Sequence, residues 1–372
     1  MDFIPVNTPL LDGNEKKYLN ECIDTGWISS EGPFVKKLET GIADYVGRKY
    51  GIAVCNGSVA LDLCVEALQL QPGDEVIMPT FTIISCAAAL VRKGVKPVLV
   101  DADPLTWNMD VTQIEDKITN KTKAIMVVHL YGLPVDMDIV EDIANRHNLY
   151  IIEDAAEAHG LEYRGRKCGS FGTITAMSFY PNKHITTGEG GIVLTDDEEL
   201  KDRCELFKNL CHVPGHRFHH EELGYNFRMS NIQAAVGVAQ LEKLEEHLNL
   251  KRELGRHYQE LLRNIEGIQL PLEKTEYADN LYWVFGIVLK NEIKFNAEQM
   301  IKILAEKGIG CRPFFYPMHQ QPVFRKMGLF NGESYPIAEM LGERGFYIPS
   351  GLTIDFNQRD EVVNALMRVL QL

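Results

Sequence analysis

The sequence is poor in the features that assign many chains at a glance. Its eight cysteines (Cys22, Cys55, Cys64, Cys86, Cys168, Cys204, Cys211 and Cys311) include no C-x-x-C pair. Neither a disulfide framework nor a zinc ribbon has its spacing, and the scatter fits a reducing compartment. Cys55 and Cys64 sit in apolar stretches and read as small buried hydrophobes. There is no low-complexity tract, repeat period or long like-charge run. Residues 1–17 lack the basic start and apolar core of a signal peptide, and no uncharged apolar run reaches bilayer length. The expected location is the cytoplasm. Basic residues are the minority, 38 against 52 acidic, for a net charge of −14. That balance opposes broad binding to nucleic acid or anionic membranes, so an anionic ligand must be held by a few placed donors. Gly188-Glu189-Gly190-Gly191 lacks the dinucleotide-binding spacing, and no Walker A loop is present.

What is present is a large soluble chain. With 372 residues, 45% hydrophobic and 24% charged, it exceeds one ordinary domain, and two are expected. Short apolar runs alternate with helical patterns: Tyr50–Cys55, Glu75–Met78, Pro97–Asp101, Lys123–Val128, Tyr150–Asp154, Thr175–Phe179 and Gly191–Thr195. Strands apolar on both faces and separated by helices predict an α/β layer around a mostly parallel sheet. Ligands gather at the carboxyl ends of such strands. After Asn231, Ile232, Ala235, Val236, Ala239, Leu241 and Leu244 recur at helical spacing, and a charged helix runs on through Leu262. A smaller α+β domain is expected beyond residue 250, with a strand over Tyr282–Val288 and helices near Ala297–Lys307 and Asp360–Leu370.

Three segments carry chemistry. In Ser178–Gly191 a strand ends at Phe179, Lys183 follows within a turn, and a glycine-rich corner leads to the next strand. A lone lysine there is ordinarily a surface residue. In an apolar corner at a strand's carboxyl end, burial instead lowers the ammonium's pKa and makes the amine nucleophilic. Asp154 closes a buried strand in Ile151–Gly160 and needs a cationic partner. That partner is a structural basic group, a magnesium ion or, with Lys183 nearby, the pyridinium nitrogen of pyridoxal phosphate (PLP). The third segment, Cys55-Asn56-Gly57-Ser58, is a strand, a tight turn and a helix start. It is either a plain N-cap or an anion site for a phosphate, to which Ser178 could also donate.

Together, Asn56-Gly57-Ser58, Glu153-Asp154-Ala155-Ala156-Glu157, Ser178–Gly191 and Gly224–Met229 resemble the DegT/DnrJ/EryC1/StrS family of PLP-dependent sugar aminotransferases. The resemblance runs from Gly26-Trp27-Ile28-Ser29-Ser30 almost to the C-terminus. It implies a fold-type I architecture, with a large PLP-binding domain over 1–250 and a small C-terminal domain over 251–372. It implies that Lys183 carries the cofactor as an imine, Asp154 pairs with the ring nitrogen, Glu157 lies by the ring hydroxyl and Ser178 holds the phosphate. Asn226 would reach the phosphate of a partner subunit, so a homodimer with shared sites is implied. His129-Leu130-Tyr131-Gly132 and Arg312–His319 narrow the resemblance to enzymes using glutamate to aminate a nucleotide-linked 4-keto-6-deoxy sugar, for surface polysaccharide.

Two positions depart from the family pattern. Ile83 stands where relatives often stack an aromatic ring on the cofactor, which bears on cofactor retention. Ser58 replaces the more usual threonine and keeps the hydroxyl. Trp27, Ser29, Arg312, Tyr316 and His319 are substrate-contact candidates. So is Arg217, in the His212–His220 segment, which lacks metal-ligand spacing and reads as an active-site or solvated loop; no metal is expected. The related PLP-dependent sugar 3-dehydratases carry histidine in place of the lysine, so Lys183 argues for transamination. Amination at C3, a PLP-dependent sugar dehydratase, and a PLP-binding protein without catalysis stay as alternatives.

Overall fold

The computed structural model describes residues 3–213 and 215–370. Each expected apolar run becomes a strand, shifted at most by a residue. The larger sheet has the spatial order Tyr50–Val54, Gly191–Thr195, Ile174–Ser178, Tyr150–Asp154, Thr122–Val128, Glu75–Pro79, Lys96–Val100. The last five pair in parallel. Gly191–Thr195 runs antiparallel to both of its neighbours. It returns from Ser178 through the short lysine-bearing corner, with no helical crossover to reverse its direction. Glu75–Pro79 and Gly191–Thr195 are buried along their whole length, as strands covered on both faces must be.

Helices Gly57–Ala67, Ile84–Arg92 and Glu198–Lys208 cover one face; Pro33–Val46, Met137–His147 and Asn231–Glu242 cover the other. Asn231–Glu242 begins with a capping box between Ser230 and Gln233, which satisfies donors a helix start leaves open. The chain then turns at Lys243 and continues as Leu244–Leu262, so residue 250 falls inside one helix. Beyond it, Ile268–Gln269, Phe285–Leu289, Gly345–Ile348 and Arg312–Pro313 form an antiparallel four-stranded sheet. Helices Ala297–Glu306 and Phe356–Leu370 bury Met300, Leu304, Val362 and Leu366 against it. Ile4 also packs into this second core, bridging to Ile309.

Two expectations shift. The strand read over Tyr282–Val288 begins only at Phe285; Tyr282 has a left-handed backbone (φ 53°), which turns the chain before the sheet. The His212–His220 segment is a small ribbon, His212–Val213 pairing with His216–His220, rather than an irregular loop. Cys64 is buried as expected, whereas Cys55 is partly exposed. Among the described residues, no helix is long and apolar enough to cross a membrane.

Strand alternation explains the use of two adjacent acids. Glu153 points to one face, where it accepts hydrogen bonds from the N–H groups of Phe171 (2.9 Å) and Gly172 (3.1 Å) and from the Thr175 hydroxyl (3.0 Å). The Gly169 N–H and His129 Nε2–H, at 3.1 Å, complete the set. Val135 N–H donates to His129 Nδ1, which fixes the proton on Nε2. Burial opposes the charge, but these donors win and hold the carboxyl down at about 2. Glu153 therefore stabilises the fold above the ordinary glutamate pKa of 4.5, and that contribution is lost as pH falls towards about 2. Glu153→Gln should lower the melting temperature at pH 7, reflecting a cost of about 3 kcal/mol or more. It should also flatten the decline of melting temperature between pH 5 and pH 2, roughly the window of this titration. An unchanged acid slope in the variant would contradict the assignment.

Candidate active site

Asp154, the next residue, points to the other face, into a cavity of about 790 Å³ at the carboxyl ends of the strands. The cavity is walled by the larger sheet, the starts of two helices, and Trp283, Arg312, Phe315 and Tyr347 from the C-terminal part. Asp154 is 2% exposed. It accepts from the Ala156 N–H at 3.0 Å and the Cys86 thiol at 3.2 Å. Among the described residues, no basic side chain forms an ion pair with it. Burial pushes its carboxyl up, against these two hydrogen bonds and the more distant charge of Lys183. A buried carboxylate facing a cavity without a cation calls for a cationic ligand group.

Lys183 sits on the corner that sequence placed it on. Its N–H bonds to the Tyr180 carbonyl (2.9 Å), and the corner is closed by Phe179 N–H to Gly190 O (2.8 Å) and Thr187 N–H to Phe179 O (3.0 Å). Its amine lies 3.5 Å from Glu157 Oε1 and 3.9 Å from the centre of the Trp283 ring. Glu157 Oε2 accepts from the Tyr131 N–H at 3.1 Å. Burial drives both partners towards neutrality. It pushes Glu157 up to about 7 against the pull of the Lys183 ammonium, and pushes Lys183 down against Glu157 and Asp154. A buried amine pushed down beside a carboxylate pushed up can pass a proton between them, which suits general acid–base work.

The far end of the cavity is an anion cradle. Asn56 caps helix Gly57–Ala67, its side-chain oxygen accepting from the Val59 N–H at 3.0 Å, so the plain N-cap reading holds for that side chain. The backbone N–H groups of the first turn remain, beside the Ser58 hydroxyl. That hydroxyl lies 2.7 Å from the hydroxyl of Ser85, in the first turn of Ile84–Arg92. Gly57 is required by close approach: a Cβ there would lie 2.6 Å from Ser178 Cβ. Two helix starts and three hydroxyls converge, as a phosphate requires. Ile83, 41% exposed, lies on the cavity wall between the cradle and Asp154. These residues fit PLP: a cradle for its phosphate, a carboxylate for its ring nitrogen and an amine for its aldehyde.

Of the other sequence candidates, Arg312 reaches the cavity, on an edge strand directly opposite Tyr347. Tyr316 is exposed but off the wall. His319 is 1% exposed, with Nδ1 2.8 Å from Thr80 Oγ1 and Nε2 3.0 Å from Glu339 Oε1. Both ring nitrogens are engaged, so it braces the loop and has no atom left for a substrate. Trp27, Ser29 and Asn226 do not line this cavity. They lie beside a second one of about 310 Å³, lined by Ser30, Lys208, Asn209 and Arg228. Asn231 N–H bonds to Ser29 O and Asn226 Oδ1 accepts from Arg228. The side chain of Arg217 lies outside the described residues. Sequence reasoning missed Ser85, Cys86, Tyr180, Asn182, Trp283 and Tyr347. Ser85, in a helix-start pattern beside Ile83, was discoverable; Trp283 was masked by the apolar run taken for a strand.

The sequence matches the family described as the DegT/DnrJ/EryC1/StrS aminotransferases over residues 9–367. It is 44% identical over 350 residues to GDP-perosamine synthase of Escherichia coli O157:H7, covering 94% of each chain. It is 42% identical over 367 residues to GDP-perosamine synthase of Caulobacter vibrioides, covering 99% of this chain and 98% of the other. Among solved structures, DesV of S. venezuelae superposes with a TM-score of 0.88 at 31% identity, covering 96% of this chain and 95% of that one.

Proposed function

The chain belongs to the DegT/DnrJ/EryC1/StrS aminotransferase family and is a PLP-dependent transaminase, and we propose that it moves the amino group of glutamate to C4 of a GDP-linked 4-keto-6-deoxy sugar. The product would be a GDP-linked 4-amino sugar destined for surface polysaccharide. The observation that carries the chemistry is the buried Lys183 amine, 3.5 Å from the Glu157 carboxylate on the wall it shares with Asp154. The choice of sugar rests on the likeness to the two GDP-perosamine synthases.

When bound, PLP supplies an electron sink for the charge left as a proton leaves the amino-bearing carbon. The chain's own residues do the rest. The N–H groups at Gly57 and Ser58, with the hydroxyls of Ser58, Ser85 and Ser178, anchor the phosphate. Asp154 would hold the ring N–H and favour the protonated nitrogen, because losing the proton would leave the carboxylate buried without a cation. Lys183 Nζ carries the cofactor at rest. Once released, Nζ takes the α-proton of the donor and holds it as an ammonium against Glu157, ready for return. Glu157 would meet the ring hydroxyl. Arg312, for which no carboxylate partner is found among the described residues, faces the cavity as a donor for an anionic substrate.

We further infer a homodimer. Trp27 and Ile28 are each 49% exposed and Leu223 is 94% exposed, apolar residues in the segments that carry Ser29 and Asn226, which a second copy would cover. In that arrangement Asn226, Trp27 and Ser29 serve the partner's cavity.

Two outcomes are expected. Lys183→Ala and Lys183→Arg should each abolish formation of the amino sugar from glutamate and the GDP-linked keto sugar, read as the product's mass. Retained turnover would remove Lys183 from its role. Lys183→Ala and Asn226→Ala chains, each inactive alone, should regain about a quarter of wild-type activity when unfolded and refolded together, since half the dimers then hold one intact site. No recovery would contradict shared sites.

A further inference from the structure

The wall opposite the anion cradle contains a closed circuit of contacts that the proposed reaction does not yet use. Tyr131 N–H donates to Glu157 at 3.1 Å, and Glu157 faces the Lys183 amine at 3.5 Å. Lys183 lies 3.9 Å over the Trp283 ring, and that ring is stacked parallel to Tyr131 at 6.0 Å with 2° between the planes. The four residues come from the Leu130–Gly132 turn, the segment after Asp154, the lysine corner and the lead-in to the second sheet.

Trp283 is pinned at two points. Its indole N–H donates to the carbonyl of Asn182, the residue before Lys183, at 2.8 Å. Its own carbonyl accepts from Lys251 Nζ at 3.0 Å, and Lys251 also donates to the Ser350 carbonyl. Lys251 is 3% exposed, and burial pushes its amine down to about 7. Beyond the ring, Gly132 (φ 102°) admits the approaching loop: a Cβ there would lie 2.5 Å from Tyr282 N and 3.0 Å from Trp283 N. An indole face stabilises an ammonium and offers nothing to a neutral amine.

We propose that Trp283 is a positioning residue for Lys183: its indole face, pinned by Lys251 and Asn182, holds the free amine against Glu157 whenever that amine is not bonded to the cofactor. The arrangement keeps the released amine over one side of the cavity and favours its protonated form, so a proton taken from substrate stays on Nζ until it is returned. The other groups around the amine are Asp154, Glu157 and the Cys86 thiol, which favour the charged form, and the buried imidazoles of His159 and His184, whose ring nitrogens make no hydrogen bond to the described residues and are kept neutral by burial. This inference rests on Lys183 being the carrier amine.

The test uses the full chain freed of cofactor. Trace acetylation across a pH series, read by mass on the Lys183 peptide, gives the midpoint at which that amine deprotonates, whatever its accessibility. Trp283→Phe keeps a ring face and should leave the midpoint near that of the wild type. Trp283→Leu should move it down, raising the free-amine fraction at pH 7 about threefold. Lys251→Met, with the indole intact but released, should move it the same way. A Trp283→Leu chain that melts normally and keeps the wild-type midpoint would overturn the proposal. A change in melting temperature alone, with the midpoint fixed, would reduce Trp283 to packing and overturn it equally. Because no cofactor is present, such a failure is separable from a failure of the carrier assignment, which would show as turnover retained by Lys183→Ala.

Discussion

The molecule is organised around keeping one amine out of water. Lys183 is held in a dry corner where the cost of charge is met by Glu157 and the face of Trp283, with Asp154 on the same wall. Dry surroundings push the amine towards its neutral, nucleophilic form, and the nearby carboxylates pull it back. Burial is the stronger of the two, which holds the amine below an ordinary lysine and closer to its nucleophilic form. The rest of the fold serves that balance. The larger sheet delivers Asp154, Ser178 and the corner to one edge, and the C-terminal part supplies the lid of aromatic residues.

The adjacent acids Glu153 and Asp154 show how strand geometry separates structure from chemistry. One is saturated by five donors and held strongly acidic. The other receives two hydrogen bonds and is pushed up by burial, leaving it incomplete without a ligand cation. Exchanging their faces by a one-residue register slip would destroy both roles, so the register with Thr122–Val128 and Ile174–Ser178 is part of the site. The net charge of −14 also takes on meaning. An anionic cofactor can be held against that field by local donors, the helix starts and clustered hydroxyls of the cradle, and Arg312 adds positive charge to the same cavity.

The strands of the larger sheet were legible because burial on both faces makes them plain apolar runs, and their polar terminal residues marked the site. Lys183, Asp154, Ser178 and the Asn56–Ser58 turn were singled out for that reason and line one cavity, as does Glu157, which the family resemblance supplied. Trp283 and Tyr347 were not, because an aromatic residue facing a cavity and one in a core have the same local pattern. His319 misled for the converse reason: a histidine in a turn looks available until Thr80 and Glu339 are seen to occupy both nitrogens. Trp27, Ser29 and Asn226, which only the family resemblance supplied, lie off the cavity of their own chain.

The central claim is that the ε-nitrogen of Lys183 reversibly bonds the aldehyde of PLP. Borohydride reduction of the holoenzyme followed by peptide mapping tests it most directly. The account predicts a single modified peptide containing Lys183, carrying the mass of the reduced cofactor, and its disappearance when excess glutamate is added before reduction. A protein that binds PLP and yields no adduct at Lys183, or yields one at another lysine, would contradict it.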